Sequence, residues 1–333
     1  MLPAASPAFM LPLAASARLM DVTTLGDTGL QVSSLSLGAG GASKLGLNDD
    51  RTEDEAVALV EQAIEFGINT FDTAPVYDTE PIIGRALADH PRDEFVISTK
   101  FSMFEDGEMR PAGDLAVSLE ESLDRLQTDY VDVFHLHGVN PEHYRDAADR
   151  FLDAMHDLKD DGLIRAVGIT ETTGGDPAHE ALGSAVEDDG WDVMMVGFNL
   201  INQSARELVF EPATAKGIGI MGMIPVRRAL TDEAILRDTI DDLIDRSELD
   251  PSVVDREDPF GFLRAHEDVE SVIEAAYRFA CHEPSIDTLL CGTGNPAHLA
   301  ANVAAVERGP LPSTLCDAID DRFGRVTSRI GNN

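Results

Sequence analysis

Positive charge is scarce in this chain of 333 residues: 25 lysines and arginines face 61 aspartates and glutamates, for a formal net charge of -36. Only four lysines exist, Lys44, Lys100, Lys159 and Lys216. So anionic a surface repels nucleic acid and anionic lipid, which argues against both as partners. Long apolar runs are missing too, and none reaches the length of a membrane span. Cysteine is sparse. Cys281, Cys291 and Cys316 show neither metal-ligand spacing nor an even-numbered disulfide framework, which fits a reduced, cytoplasmic location. Each reads as a small apolar packing residue.

What is present argues for a folded globule. Hydrophobic residues make up 43% of the chain and recur periodically, unlike a disordered acidic segment. The acidic excess reads as a surface adapted to very high salt, where screening shortens the range of self-repulsion. Oligomeric state leaves no trace, although a monomer suits so charged a surface. Residues 1–19 contain an apolar stretch broken by prolines, with no basic residue before it, so they read as a flexible extension rather than a signal peptide. Residues 20–333 read as one domain.

From Thr23, two short extended runs flank Gly26-Asp27-Thr28-Gly29, the pattern of a β-hairpin. Buried-type strands are predicted at 32–37, 68–72, 95–100, 131–137, 165–170, 191–198, 218–225 and 287–292. The first seven start about thirty residues apart, the period of repeated βα units. Helical signals fill the gaps. Thr52 and Glu55 form a capping box, Ala56, Leu59, Val60, Ala63 and Ile64 share one face, and Gly67 ends the helix. Leu115, Leu119, Leu123 and Leu126 make a second stripe; Phe151, Ala154, Met155 and Leu158 make a third. No Gly-x-Gly-x-x-Gly turn follows the first strand, so an open dinucleotide-binding sheet loses its main support. The expected fold is an α/β (β/α)8 barrel with an N-terminal hairpin. An insertion after strand seven, including the acidic segment 238–258, either covers the substrate or is a solvated excursion.

Four residues sit at or just beyond successive strand ends: Asp72, Tyr77, Lys100 and His137. In a closed barrel those ends converge on one mouth. Each alone has a bland explanation, yet together they form an acid/base device. A phenol with a reference pKa near 10 exchanges protons slowly at neutral pH, and a nearby ammonium lowers that value. Lys100 supplies the charge, Asp72 holds it, and His137 hydrogen-bonds the substrate oxygen. The remaining histidines, His179 among them, lack ligand spacing and read as occupants of solvated helix faces, while His135 competes with His137 for the histidine role.

Phe71-Asp72-Thr73-Ala74-x-x-Tyr77, followed by Glu80 and Gly84-Arg85-Ala86-Leu87, resembles the aldo-keto reductase signature. Ile97-Ser98-Thr99-Lys100 and Tyr130-Val131-Asp132-Val133-Phe134-His135-Leu136-His137 resemble its next two blocks. The likeness runs from about Met20 to Val326, with the spacing of all four positions kept. It implies that Asp72, Tyr77, Lys100 and His137 form the family's tetrad, the family's spacing from Asp132 selecting His137 and leaving His135 to the barrel interior, and that no metal is required. It also implies an extended NADPH or NADH molecule and a small carbonyl or sugar substrate. Tyr77 would give or take the proton while hydride passes at carbon.

The implied cofactor contacts are less faithful. Thr170-Glu171 stand where the family has Ser-Asn, Met195 where it has Gln, and Met223 where it has a stacking tyrosine. After strand eight, Asn295 and Pro296 start a helix whose N-terminus suits phosphate. Gly292 and His298 align with the family's cations for a 2′-phosphate, which leaves NADPH and NADH both open. Thr293 and Asn302 are the expected contacts at the adenosine end. The blocks Asp72-Thr73-Ala74-Pro75 and Pro91-Arg92-Asp93-x-Phe95 look closest to aldose dehydrogenases, so sugar oxidation stands second to carbonyl reduction. A nicotinamide-binding regulatory protein is a further alternative, and a barrel hydrolase ranks last.

Overall fold

The chain was analysed as a computed structural model, in which residues 20–172, 174–329 and 331 are described. The extension expected at 1–19 lies outside them. Twelve strands run along the described chain: β1 (Val22–Thr24), β2 (Gln31–Ser33), β3 (Leu35–Gly38), β4 (Thr70–Asp72), β5 (Val96–Ser102) and β6 (Phe104–Glu105). They continue as β7 (Glu108–Met109), β8 (Val131–Val139), β9 (Ile164–Glu171), β10 (Val193–Gly197), β11 (Gly219–Met223) and β12 (Thr288–Cys291). Eight of these close into a parallel barrel in the order β3-β4-β5-β8-β9-β10-β11-β12, with β12 pairing back onto β3. The predicted (β/α)8 barrel is therefore the fold, and each of its eight strands falls where a strand was predicted.

The apolar runs are nearly continuous because both strand faces are buried. Phe71, Ile97, Phe101, Phe134 and Leu136 join the layer between strands and helices. Val96, Val133, Ala166, Val193, Met195, Met221 and Met223 fill the interior with Leu25, Leu30 and Val32 from the hairpin. The hairpin β1–β2 thus plugs one end of the barrel, with Asp27 N–H on the Gly217 carbonyl at 2.7 Å and Gly26 N–H on Asp287 at 3.1 Å. Residues 32–37 had been expected as one strand. Instead Val32 belongs to the hairpin and the barrel strand starts at Leu35, beyond a break at Ser34.

The helices are α1 (Glu53–Glu65), α2 (Glu80–Leu87), α3 (Asp114–Leu126), α4 (Tyr144–Asp160), α5 (Glu180–Glu187) and α6 (Glu211–Ala215). They are followed by α7 (Glu233–Asp245), α8 (Gly261–Arg264), α9 (Val272–Cys281), α10 (Pro296–Glu307) and α11 (Ser313–Phe323). The capping box of α1 forms as read: Thr52 accepts from Glu55 N–H and Glu55 accepts from Thr52 N–H. Such a cap contributes about 1 kcal/mol. α10 starts on Asn295, whose side chain accepts from Ala297 N–H at 2.9 Å.

The insertion after β11 is neither a loose excursion nor a bare charged loop. In α7, Leu236, Thr239, Ile240 and Leu243 are buried, and further along Leu249, Phe260 and Leu263 join the core. Glu248 accepts from Thr327 N–H at 2.7 Å and Ser328 N–H at 3.0 Å, and Arg329 reaches Asp242 at 2.8 Å. Those bonds tie the acidic segment to the carboxyl-terminal tail. Among the described residues, no helix is long and apolar enough to cross a membrane.

Candidate active site

Lys100 and Asp72 form the floor of the barrel mouth. Both are buried, 1% and 3% exposed, Lys100 two residues before the end of β5 and Asp72 at the end of the adjacent β4. Lys100 Nζ donates to both Asp72 carboxylate oxygens at 2.7 and 2.6 Å and to the Thr73 carbonyl at 2.7 Å. Ser98 Oγ donates to the same carboxylate at 2.7 Å. Three acceptors thus use all three ammonium protons. A buried ion pair persists only when hydrogen bonds satisfy it this fully.

Above this floor stands Tyr77, half-buried in the loop after β4. Its hydroxyl is 3.1 Å from His137 Nε2, the two rings meet edge to face with centroids 5.6 Å apart, and Lys100 Nζ lies 5.1 Å from the phenol centroid. The loop after β3 backs the ring. A Cβ on Gly40 would stand 2.5 Å from Tyr77 Cε2, so only glycine leaves room there. The four residues picked from strand ends therefore meet at one mouth.

Electrostatics at the mouth differ from expectation. Burial pushes the Tyr77 phenol well above its usual value, and the Asp72 carboxylate adds to the rise. The net lowering expected from Lys100 is not what the mouth shows: burial and Asp72 set the direction for Tyr77, and the ammonium is bound directly to the Asp72 carboxylate. Burial also lowers the Lys100 ammonium, against the opposing pull of Asp72. His137 is pushed down to about 3 by burial and then by Lys100, so its imidazole is neutral at physiological pH. His135 is fully buried in the barrel, as assigned, and burial holds it well below the usual histidine value.

The residues named for cofactor contact divide. Thr170, buried at the end of β9, accepts Gly138 N–H at 2.8 Å on its hydroxyl oxygen, which leaves the hydroxyl proton free to donate. Met223 packs within the barrel interior. Gly292, Thr293 and His298 line an open cleft of about 670 Å³ together with Ser43, Asp49, Asp50, Arg51, Glu55, Gly294 and Asn295. Asn302 does not line it; its side chain is buried and donates to Cys291 Sγ at 3.2 Å. The loop that backs Tyr77 at Gly40 continues into Ser43 and Asp49–Asp50, so one segment connects the mouth to the cleft. A cleft of this size, with a glycine turn and a helix N-terminus, fits a dinucleotide.

Glu171 and His179 correct the sequence reading. Glu171 is buried, with Oε1 accepting Gly197 N–H at 2.7 Å and Oε2 2.7 Å from His179 Nδ1. His179 is only 1% exposed, not on a solvated face. The pair joins the end of β9 to the start of α5. Nothing in the local pattern announced it, because the two residues meet only when the loop between them folds back. Among the described residues no three His, Cys, Asp or Glu side chains converge as a metal-binding group, and the three cysteines are free.

Comparison with known proteins agrees with this architecture. L-galactose dehydrogenase of Arabidopsis thaliana is 36% identical over 157 residues, 45% of this chain and 48% of that protein, so the aligned part spans about half of that relative. D-threo-aldose 1-dehydrogenase of a Pseudomonas species is 27% identical over 302 residues, 81% of this chain and 89% of that protein. The solved aldo-keto reductase AKR11C1 from Bacillus halodurans, in its holo form, superposes with a TM-score of 0.70 at 24% identity, covering 93% of this chain and 97% of its own. The aldo/keto reductase family profile matches residues 36–322, and the chain belongs to that family of NAD(P)-dependent oxidoreductases.

Proposed function

We propose that Tyr77 is the proton donor in the reduction of a small aldehyde or ketone, and that Asp72, Lys100 and His137 form the rest of its machinery. The observation that carries this reading is the Tyr77 hydroxyl held 3.1 Å from a neutral imidazole at the mouth of the barrel. The nicotinamide, when bound, supplies the hydride to the carbonyl carbon. Every other step falls to the chain itself. With Nε2 protonated, His137 donates to the phenol oxygen and leaves the phenolic proton pointing to the substrate. As negative charge develops on the carbonyl oxygen, Tyr77 transfers that proton, and donors already in place stabilise the charge without reorganisation.

The raised phenol value keeps Tyr77 protonated in the resting enzyme, as a donor must be. Lys100 contributes after transfer: its ammonium, 5.1 Å from the ring, stabilises the phenolate until solvent at the mouth returns the proton. In this reading Thr170 serves as a donor to the nicotinamide end, and Gly292, Thr293 and His298 as the wall of the adenosine end. The reverse direction, oxidation of a cyclic sugar at its anomeric carbon, is favoured by the two relatives whose names are those of sugar dehydrogenases.

A panel of aldehydes, ketones and aldoses, assayed in both directions with both dinucleotides in molar salt, tests the assignment. Turnover of at least one class supports it. Tight dinucleotide binding with no turnover across the panel would instead favour a regulatory binding protein. The surplus of carboxylates is read as adaptation to such salt and the free thiols as fitting a reduced cytoplasm. Folding that improves steadily with added salt would support the first.

A further inference from the structure

Tyr77 hangs on a loop, yet its role as proton donor asks it to keep a fixed distance from Lys100, which sits on a strand. Glu80, three residues after Tyr77 and the first residue of α2, is only 1% exposed. Its Oε1 accepts from Thr99 Oγ at 2.6 Å and its Oε2 from Arg125 Nε of α3 at 2.6 Å. Thr99 is fully buried and immediately precedes Lys100 on β5. Successive residues of a strand face opposite sides, so Lys100 points into the barrel while Thr99 points out to the helices. The neighbour of the ammonium thus grips the segment that follows the phenol.

The other end of the loop is tied to the same strand. Thr73 N–H donates to the Ser98 carbonyl at 2.9 Å, and the Thr73 carbonyl accepts from Lys100 Nζ at 2.7 Å. The hydroxyls of Thr73 and Thr79, both buried, meet at 2.9 Å and close the neck of the loop. Residues 74–78 are left to carry the phenol. Their surface tie, Lys44 to Asp78 at 3.3 Å, involves an Asp78 side chain that is 84% exposed, and so contributes little. The Glu80 contact is of another kind: a hydroxyl donating to a buried carboxylate over 2.6 Å is a short, charge-assisted bond. The carboxylate also acts at range. Burial lowers the Lys100 ammonium, and Glu80 joins Asp72 in opposing that fall.

We infer that Glu80 and Thr99 are positioning residues, which together set the distance between the Tyr77 phenol and the Lys100 ammonium. Both lie on the helix side of β5, so they act through Tyr77 and Lys100 and not on the substrate. The inference rests on Tyr77 being the proton donor. A carboxylate that served only to pin α2 to α3 would need Arg125 alone. The bond to Thr99 goes further, to the strand that carries the ammonium.

Thr99→Val keeps the volume and removes the hydroxyl, whereas Thr99→Ser keeps the hydroxyl and removes a methyl group. Steady-state kinetics of the whole chain on the best substrate of the panel, at saturating dinucleotide and beside a denaturant melt, separates position from stability. The valine variant should lose about tenfold in kcat, about 1.4 kcal/mol of barrier, with KM within about twofold. The serine variant should recover kcat to within about twofold, although both variants melt below the unaltered chain. Glu80→Asp keeps the charge and draws it back by one methylene. It should also cost about tenfold in kcat, and it decides the matter if the valine variant does not fold. A folded valine variant at full kcat, or a serine variant no faster than the valine one, overturns the inference. Tyr77→Phe transferring hydride at the full rate overturns instead the donor reading on which the inference rests.

Discussion

Gly40→Ala isolates the placement of Tyr77 from its chemistry. The substitution removes no ionisable group, yet its Cβ would stand 2.5 Å from Cε2 and 2.7 Å from Cζ of the phenol. Carbon atoms rest about 3.5–4.0 Å apart, so the ring must withdraw by about 1 Å. Behind it the hydroxyl sits on His137 at 3.1 Å, a bond with no slack for such a shift. A displacement of about 1 Å at a reacting group costs roughly a hundredfold in rate. Overpacking a surface-side loop costs about 1–3 kcal/mol of stability, which leaves the fold standing. The expected outcome is therefore a kcat about a hundredfold lower, with an intact Lys100–Asp72 pair beneath and a cooperative unfolding transition. Steady-state kinetics on the best substrate of the panel, beside a denaturant melt in the same salt, checks both parts. A kcat within threefold of the unaltered enzyme would refute the argument that the glycine exists to seat the phenol.

Two further outcomes follow from the buried pairs. Lys100→Met strands the Asp72 carboxylate, 3% exposed, without its cation, and should cost about 3–5 kcal/mol in a denaturant melt; the double variant with Asp72→Asn should recover most of it. Recovery that fails would show that the pair is not the unit of stability there. For Glu171 and His179 the sign is set by two raised values. Burial raises Glu171 against the pull of His179, while for His179 burial lowers the value but Glu171, with help from Asp176 and Asn202, outweighs it. The folded state therefore holds more protons than the unfolded one. For His179 the stabilisation is complete below about pH 6.5 and is lost as pH rises through its elevated folded value, at up to about 1.4 kcal/mol per proton per pH unit. Thermal midpoints in fixed salt should fall on the alkaline side, and Glu171→Gln with His179→Gln should flatten the decline. Equal slopes in both proteins would refute the linkage.

How much was legible before the fold was known depends on the range of the contacts. The eight barrel strands showed because residues such as Phe71, Ile97 and Phe134 alternate with interior residues such as Val96 and Val133, which makes both faces apolar. The tetrad showed because strand ends are local features and the barrel brings them together without further information. The hairpin β6–β7 was missed although Asp106-Gly107 marks its turn, both with positive φ. The packing of α7 within the insertion was hidden because its apolar residues, Leu236, Ile240 and Leu243, are spaced among aspartates. The direction of the Tyr77 shift was misjudged for a different reason. Proximity of Lys100 to Tyr77 is encoded in spacing, but the saturation of its ammonium by Asp72 and Thr73 appears only in three dimensions. The hold on Asn302 was hidden likewise, since its partner, Cys291, lies on the strand before it.

The account stands or falls on a single hydroxyl. Single-turnover kinetics of hydride transfer from prebound reduced dinucleotide, in the unaltered enzyme and in Tyr77→Phe, measures its contribution directly. Loss of general-acid catalysis should slow that step by about 10²–10⁴-fold while the dinucleotide dissociation constant stays within about twofold. A phenylalanine variant that transfers hydride as fast as the tyrosine enzyme would contradict the account, however well the mouth of the barrel is assembled.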